Sequence, residues 1–457
     1  RSSANSLLIH SLRDFLPDRL RGDFHRWLLA PPQDWKTAFV ARGGDLAQAW
    51  LDRNRDTLTS PQWDTVFLPR RVFGTYISEV LDREIRDAVD RKRLDVTYLT
   101  GQVATVERTD SDGSHLTVET SGGGVETLSA RLVILSIGSP GPKPEFQRMA
   151  QDFPAALVIP DPYSPSLDTT LAALDQRLSL GGPPRNILVL GSNASALEMV
   201  YLLGHRHGEG ADGGTIHCLS PTGELPDHSD PRAAPAVVLP ALDGLLAGPA
   251  PPTAEALYAA ILGDIDGLTV RGQTALDGFS VISDRVVALL AQMPLDEVRA
   301  FHDRFGMAFT RRVRRAGLEY VSMARSLGRT DRLRMVAGTF RGLAPDPDRP
   351  DAVRALYQGA DGARVMSADS YVAVINCTGG ERLDPACETR PLAQLVRGGV
   401  CEVHPNGYGL RVNNDFEAAP DLYVAGPLLA GIFTPRLKTW HIENARRIYE
   451  ACDQLAG

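Results

Sequence analysis

Cysteine is scarce and unpaired in this chain: five residues in 457, with no C-x-x-C among them. Cys218, Cys377, Cys387, Cys401 and Cys452 are odd in number and scattered. That excludes a disulfide framework and a dithiol redox centre, and it points to a reducing, cytoplasmic setting. Cys377 lies in an apolar run and reads as a small buried hydrophobe. No apolar run approaches the ~18 residues of a membrane span. No signal peptide is visible, although the start at Arg1 rather than Met would hide one. Positive charge is also short: Lys plus Arg total 48 against 56 for Asp plus Glu, a net charge of -8. Such a balance gives no support to a nucleic-acid or membrane-surface role. No metal-ligand spacing, G-x-S-x-G elbow or Walker loop occurs, which removes the hydrolase and P-loop classes those motifs mark.

What the chain does have is a pattern that occurs twice. One copy runs from Gln102 to Gly138, the other from Arg334 to Gly379. Each consists of short alternating strands joined by Gly/Asp turns, which predicts a three-strand meander. Each closes on an apolar strand ending in glycine, Arg131 to Gly138 and Tyr371 to Gly379. Continuous apolar runs of this kind suit parallel strands covered on both faces. Two such units predict an α/β fold with two Rossmann-like, three-layer dinucleotide-binding domains.

The copies differ in how they begin. The second is preceded by a strand, a glycine turn and a helix: Asn186 to Gly191, then Ser192 to Ala196, then Leu197 to Leu203. Nothing upstream of the first copy reads as strand, G-x-G-x-x-G and helix. Gly191 stands 188 positions before Gly379, and the same offset from Gly138 falls roughly 50 residues before Arg1. The expectation is that the first domain lacks its N-terminal βα unit in this sequence, through truncation or degeneration.

Between these landmarks, a helix is predicted over Val72 to Val89, with Phe73, Tyr76, Ile77, Val80, Leu81 and Ile85 at helical spacing. Asp161 to Pro184 reads as a linker, Ala233 to Ala254 as an irregular excursion, and Leu295 to Leu327 as helix. Asn406 to Asp415 reads as a hairpin, Leu422 to Ala425 as a strand, and Trp440 to Gln454 as a final helix.

The strongest local motif is Gly191-Ser192-Asn193-Ala194-Ser195-Ala196-Leu197-Glu198, placed between strand and helix. Gly191 permits the tight turn, the helix N-terminus offers free N–H groups to a pyrophosphate, and Ala196 permits close helix packing. Asn193 departs from the pattern, because glycine there lets the backbone approach the phosphates. Pro221 stands where an arginine often meets the 2′-phosphate of NADP, so NAD and NADP are not distinguished. His217, Arg206 and His207 are alternative sources of charge there, as well as ordinary surface polar residues.

Arg311, Arg312, Arg314 and Arg315 form a cationic cluster, read either as a solvated helix face or as an anion site. Arg70 and Arg71 open the Val72 helix, where a cation opposes the helix dipole, so an anion or partner is expected to compensate. His10, Arg13 and Asp14 form a polar set in an apolar stretch, a buried site or a capped loop. His228 and His441 read as structural.

Several of these residues together resemble the bacterial FAD/NAD(P)-binding proteins, two-domain flavoproteins. They are Arg70-Arg71-x-Phe73-x-x-Tyr76, Gly138, Gly191 to Glu198, Ile375 to Gly379 and Leu422 to Pro427. A weaker likeness is to flavin-dependent lysine and ornithine N-monooxygenases, through Leu12-Arg13-Asp14-Phe15 and Gly191 to Glu198. The resemblance implies FAD, NAD(P)H and a small organic substrate, with hydroxylation one outcome. It implies that His10 and Arg13 lie near the flavin, and that Arg70, Arg71, Val103, Gly138, Gly379, Gly426 and Pro427 border the cofactors. Gly191, Ser192, Asn193, Ser195 and Ala196 would hold the nicotinamide dinucleotide. The domains it implies are 1–175 (FAD, first segment), 183–385 (NAD(P)) and 386–457 (FAD, returning segment). A non-catalytic binding subunit that has lost its first phosphate loop is the alternative. A homo-oligomer, or a partner chain that supplies the missing unit, also stays open.

Overall fold

A computed structural model describes residues 3–8, 10–30, 34–109, 113–180, 185–207, 214–228, 236–273, 275, 278–313, 315–383, 387–405, 407–431 and 445–456. The chain divides into two compact units. The first comprises Arg1–Asp95, Pro142–Ser229 and Arg315–Gly380; the second comprises Val96–Gly141, Asp230–Arg314 and Glu381–Gly457.

In chain order, the first stretch holds helices α1 (Leu12–Phe15), α2 (Asp18–Leu29), α3 (Trp35–Thr59) and α4 (Arg70–Asp90). Strands β1 (Gly101–Arg108), β2 (Ser114–Thr120), β3 (Val125–Ala130) and β4 (Val133–Leu135) follow. Next come α5 (Pro144–Asp152), β5 (Leu157–Ile159), α6 (Leu167–Leu180), β6 (Ile187–Leu190), α7 (Ala194–His207), β7 (Ile216–Ser220) and β8 (Asp227–His228). A helical stretch holds α8 (Pro240–Leu246), α9 (Ala254–Val270), α10 (Phe279–Gln292), α11 (Leu295–Arg304) and α12 (Gly306–Arg312). Then follow β9 (Arg315–Ala316), α13 (Leu318–Arg329), β10 (Leu333–Ala337), β11 (Thr339–Pro345), β12 (Val353–Gln358), β13 (Arg364–Tyr371) and β14 (Ala373–Asn376). The last elements are α14 (Leu392–Arg397), β15 (Glu417–Ala419), β16 (Leu422–Val424) and α15 (Ala445–Ala456).

The first unit is built on a five-stranded parallel sheet of order β10-β7-β6-β14-β5. Every residue of β6 and β14 is buried, the pattern of strands covered on both faces. Leu188, Leu190, Leu219 and Val374 share one core with Leu343, Val353 and Tyr371 of the meander β11-β12-β13. On α7, Tyr201 meets Tyr320 of α13 with ring centroids 4.9 Å apart.

The second unit carries the other expected meander, β1-β2-β3, and a three-stranded sheet of order β15-β16-β4. β4 pairs in parallel with β16, and β15 pairs antiparallel to it. Val133, Leu135, Phe416, Leu422 and Val424 fill this core. Helices α8 to α12 enclose an apolar core of their own, with Leu257, Ile261, Phe301 and Phe309.

Both meanders and both glycine-ended closing strands are therefore present, with Gly138 at φ 80° and Gly379 at φ 89°. Other expectations need correction. The supposed linker contains α6, whose Leu167, Leu171, Leu174 and Leu178 are buried at helical spacing. The supposed excursion contains α8. The expected long helix over 295–327 is broken into α11, α12, β9 and α13, because β9 pairs with β8 and Gly317 precedes a new helix start. No hairpin forms among the described residues of 406–415; Val403 and Leu410 make an isolated bridge instead. The expectation of two fully covered closing strands holds for β14, but Ile134 in the middle of β4 is 51% exposed. In the two compact units, 1–95 groups with 142–229 and 315–380.

Candidate functional site

In the first unit, β6 ends at Leu190 and the chain turns through Gly191 into α7. Gly191 has φ 111°, and a Cβ built on it would stand 2.8 Å from the Cys377 carbonyl oxygen at the end of β14. Glycine is required here both for backbone angle and for close approach. Its N–H is held by the Leu219 carbonyl of β7 (2.8 Å). Ala196 is fully buried, so α7 lies close on the sheet, as the motif implied. β6 leads to β7 on one side, while β14 returns on the other. This is a topological switch point, and ligands of open α/β sheets bind at the carboxyl ends of the strands there. The first turn of α7 leaves N–H groups with no intrahelical acceptor, a ready anion site.

The end of β14 supplies polar groups that the sequence reading did not single out. The Asn376 side chain accepts hydrogen bonds from the Thr378 N–H (3.0 Å) and hydroxyl (2.7 Å). Lys143, half-buried, donates from Nζ to Thr378 Oγ1 at 3.0 Å. A cation thus stands at the same strand end as Gly379, in a unit whose Pro221 contributes none. Within this unit the residues fit a dinucleotide phosphate, with Asn193 the departure.

Arg70 is held by contacts with the fingerprint helix and the start of the chain. Its NH2 group lies 3.1 Å from Glu198 Oε2, and its Nε donates to the Leu7 carbonyl at 2.9 Å. The Tyr163 hydroxyl donates to the same Glu198 oxygen at 2.6 Å. Glu198 is fully buried and its Oε1 has no hydrogen-bond partner. Tyr320, also buried, meets the Leu7 N–H at 2.9 Å through its hydroxyl oxygen. Burial alone would lower the Arg70 pKa, but the Glu198 carboxylate, together with Tyr320 and Tyr163, outweighs it and raises the pKa above its ordinary value, so the guanidinium stays charged. Burial, then the Glu198 charge, pushes the Tyr163 hydroxyl well above its ordinary value. The anion expected to offset an arginine at a helix start is therefore Glu198, a residue inside the fingerprint. This ion pair ties the first stretch of the chain to α7. It is one physical reason why 1–95 groups with the Rossmann sheet.

Arg71 lies 3.7 Å from Asp168, and Arg13 makes a two-pronged contact with Asp64 (2.8 and 3.1 Å). His10 is half-buried. Among residues considered for a 2′-phosphate, Arg206 pairs with Asp175 and His207 approaches it at 3.2 Å. His217 is buried against the Tyr371 hydroxyl at 3.0 Å, and burial lowers its pKa. Arg311 and Arg312 belong to α12 and Arg315 to β9, while Arg314 lies outside the described residues, so the arginines do not share one helix. His441 and the side chain of His228 also lie outside them.

In the second unit, Val424 of β16 pairs with Leu135 of β4, and the Ala425 N–H reaches the Leu135 carbonyl at 2.9 Å. Gly138 and Gly426-Pro427 therefore leave the sheet from the same end, with Gly426 at φ 84°. A Cβ on either glycine would meet nothing within 4 Å. Val103 packs on the core below through β1. Among the described residues, no strand of this sheet runs through a glycine turn into an α-helix. Among the described residues, the unit has the strand-end glycines of a dinucleotide fold.

Comparison with known proteins agrees with this geometry. The family described as FAD-NAD(P)-binding matches residues 16–140. An uncharacterized protein of Mycobacterium tuberculosis is 33% identical over 462 residues, covering 100% of this chain and 85% of the relative. The chain belongs to the FAD/NAD(P)-binding protein family. Among solved structures, the FAD-bound cadaverine monooxygenase of desferrioxamine biosynthesis from Erwinia amylovora shares its fold. The TM-score is 0.51 at 12% identity, over 94% of this chain and 79% of that one. Ornithine hydroxylase from Pseudomonas aeruginosa gives 0.50 at 13% identity, over 99% and 86%. The described helices of this chain include none long and apolar enough to cross a membrane.

Proposed function

We propose that the chain is an FAD-dependent, NAD(P)H-using oxidoreductase, a monooxygenase acting on a small organic substrate, with N-hydroxylation of an amine the favoured reaction. The observation that carries this reading is the Gly191 turn: a strand, a left-handed glycine against Cys377, and a helix N-terminus at the switch point of a parallel sheet whose three central strands are buried throughout. Ser192, Asn193, Ser195 and Ala196 would hold the nicotinamide dinucleotide there. Lys143 would supply the cation that Pro221 does not. Gly138, Gly426 and Pro427 would border the flavin. A bound flavin supplies two-electron chemistry between a nicotinamide and its acceptor, and the protein's part is binding, orientation and exclusion of water. The fold shared with the cadaverine and ornithine enzymes supports the substrate class.

The test is a visible spectrum of the protein from its native host, followed by NADPH oxidation and oxygen uptake with a panel of diamines and basic amino acids. A yellow protein whose oxygen uptake depends on an amine supports the reading. A colourless protein that oxidises no NAD(P)H sinks it, and leaves the non-catalytic alternative.

A further inference from the structure

The helices of the first stretch enclose a trough lined by none of the residues of the Gly191 turn. Its origin is a bend. α3 is two helices joined at Gly44, whose φ 60° and ψ -146° are non-helical. The bend brings Phe39 of the first arm edge-on to Trp50 of the second, with centroids 5.8 Å apart. The end of α2 is fastened alongside, because the Trp35 indole donates to the Leu28 carbonyl at 3.1 Å. Between the two arms and this end lies a cavity of about 600 Å³. That volume falls in the range that holds small-molecule ligands.

Its chemistry is one-sided. Leu28, Trp35, Leu51 and Leu58 are buried in its wall, while Lys36 and Arg55 are exposed at its rim. None of the lining side chains is acidic. The Lys36 ammonium lies 5.8 Å from the Trp35 ring centroid, its stem along the apolar wall. Arg55 pairs with Asp52 at 2.8 Å, but both are well exposed, and such surface pairs exchange readily. An apolar cavity with a cationic mouth suits an apolar molecule that ends in a negative charge. It disfavours an ammonium group, so it does not suit an amine substrate.

We propose that this trough is a binding site for an apolar monocarboxylic acid, a medium-chain aliphatic or arylalkanoic acid. The chain lies along Trp35, Leu51 and Leu58, and the carboxylate lies between Lys36 and Arg55. The site is independent of the oxidoreductase reading.

Calorimetric titration of the 457-residue chain tests it with three probes of one length: decanoate, decanol and decylamine. The expected order of affinity is decanoate, then decanol, then decylamine. The double variant Lys36→Ala/Arg55→Ala should weaken decanoate by roughly three- to tenfold, to the level of decanol. Ala41, an exposed wall residue, offers a variant that should fold: Ala41→Trp fills the cavity and should abolish binding of decanoate. Absence of decanoate binding, equal binding of decanoate and decylamine, or undiminished binding in Ala41→Trp would each overturn the proposal.

Discussion

The two closing strands, β14 and β4, have nearly the same sequence character and very different surroundings. Ala373–Asn376 is buried at every position, between β6 on one side and β5 on the other. Val133–Leu135 alternates buried, exposed, buried, and among the described residues it pairs with β16 alone. Leu132, Ile134 and Ile137 are 49%, 51% and 45% exposed. Upstream in the same unit, Val96, Tyr98 and Leu99 are exposed in a stretch that belongs to no strand. An apolar run thus specifies a strand, but its neighbours decide whether that strand is covered. A flat apolar edge with no cover is a template for pairing with another chain.

The sharpest way to break this comparison is to attack what locks the complete sheet. Glu198 is buried with Arg70 and Tyr163 as its partners. Removing one member of a buried pair leaves the other uncompensated, at a cost of ~3–5 kcal/mol. Glu198→Ala should therefore lower unfolding free energy by about that amount in urea titration. The double variant Arg70→Met/Glu198→Leu should lose markedly less, because no charge is stranded. A single-variant loss under ~1 kcal/mol would show that the pair does not hold the first stretch to α7.

A second prediction sets the two strand-end glycines against each other. Both have positive φ, but only Gly191 lies against backbone. Gly138→Ala should cost ~1 kcal/mol for the left-handed conformation alone. Gly191→Ala adds the contact with Cys377 and should cost ~1–3 kcal/mol. It should also weaken NADPH binding, which Gly138→Ala should leave intact. Equal costs in thermal denaturation would mean that the Gly191 turn is looser than the geometry indicates.

These contrasts also mark what was legible in the sequence. Alternation and Gly/Asp turns revealed both meanders, since those signals are local. So was the fingerprint, with strand, Gly191 and helix in one short window. The need for an anion opposite Arg70 was readable from helix electrostatics, but its identity was not. Glu198 stands far away in sequence, and only the fold brings it there. α6 was hidden because the proline and glycine residues on either side outweighed a clear leucine period. The long helix over 295–327 failed for the opposite reason: helical propensity ran on through Gly306 and Gly317. Lys143 and Thr378 belong to loops, and nothing in their local sequence announces that they meet. The bend at Gly44 left no readable signal beyond a Gly-Gly pair.

A smaller effect concerns the titration of the complete unit. Glu319, in the first turn of α13, has Oε2 buried without a hydrogen-bond partner. Burial raises its pKa above the ordinary 4.5, against the opposing pull of its own backbone hydrogen bond and Arg53. A carboxyl with a raised folded-state pKa favours the native state while protonated. That contribution is fully present below the unfolded pKa and is lost as pH rises through the folded one. Melting temperature should therefore fall over that interval, and Glu319→Gln should flatten the profile and melt higher at pH 8. A wild-type profile identical to that of Glu319→Gln would place the carboxyl in water.

The smallest expected energy is also the one that decides the comparison from the other side. If Ile134 faces solvent in the 457-residue chain, Ile134→Lys removes no packing and should change unfolding free energy by under ~0.5 kcal/mol. The same change should suppress self-association, because a lysine on an exposed edge opposes strand pairing. Sedimentation velocity would read this as a shift toward monomer at unchanged melting temperature. A loss of 2 kcal/mol or more on the order of a core substitution would instead mean that Ile134 is covered. β4 would then be as enclosed as β14, and the two sheets would differ in neither burial nor need of a further strand.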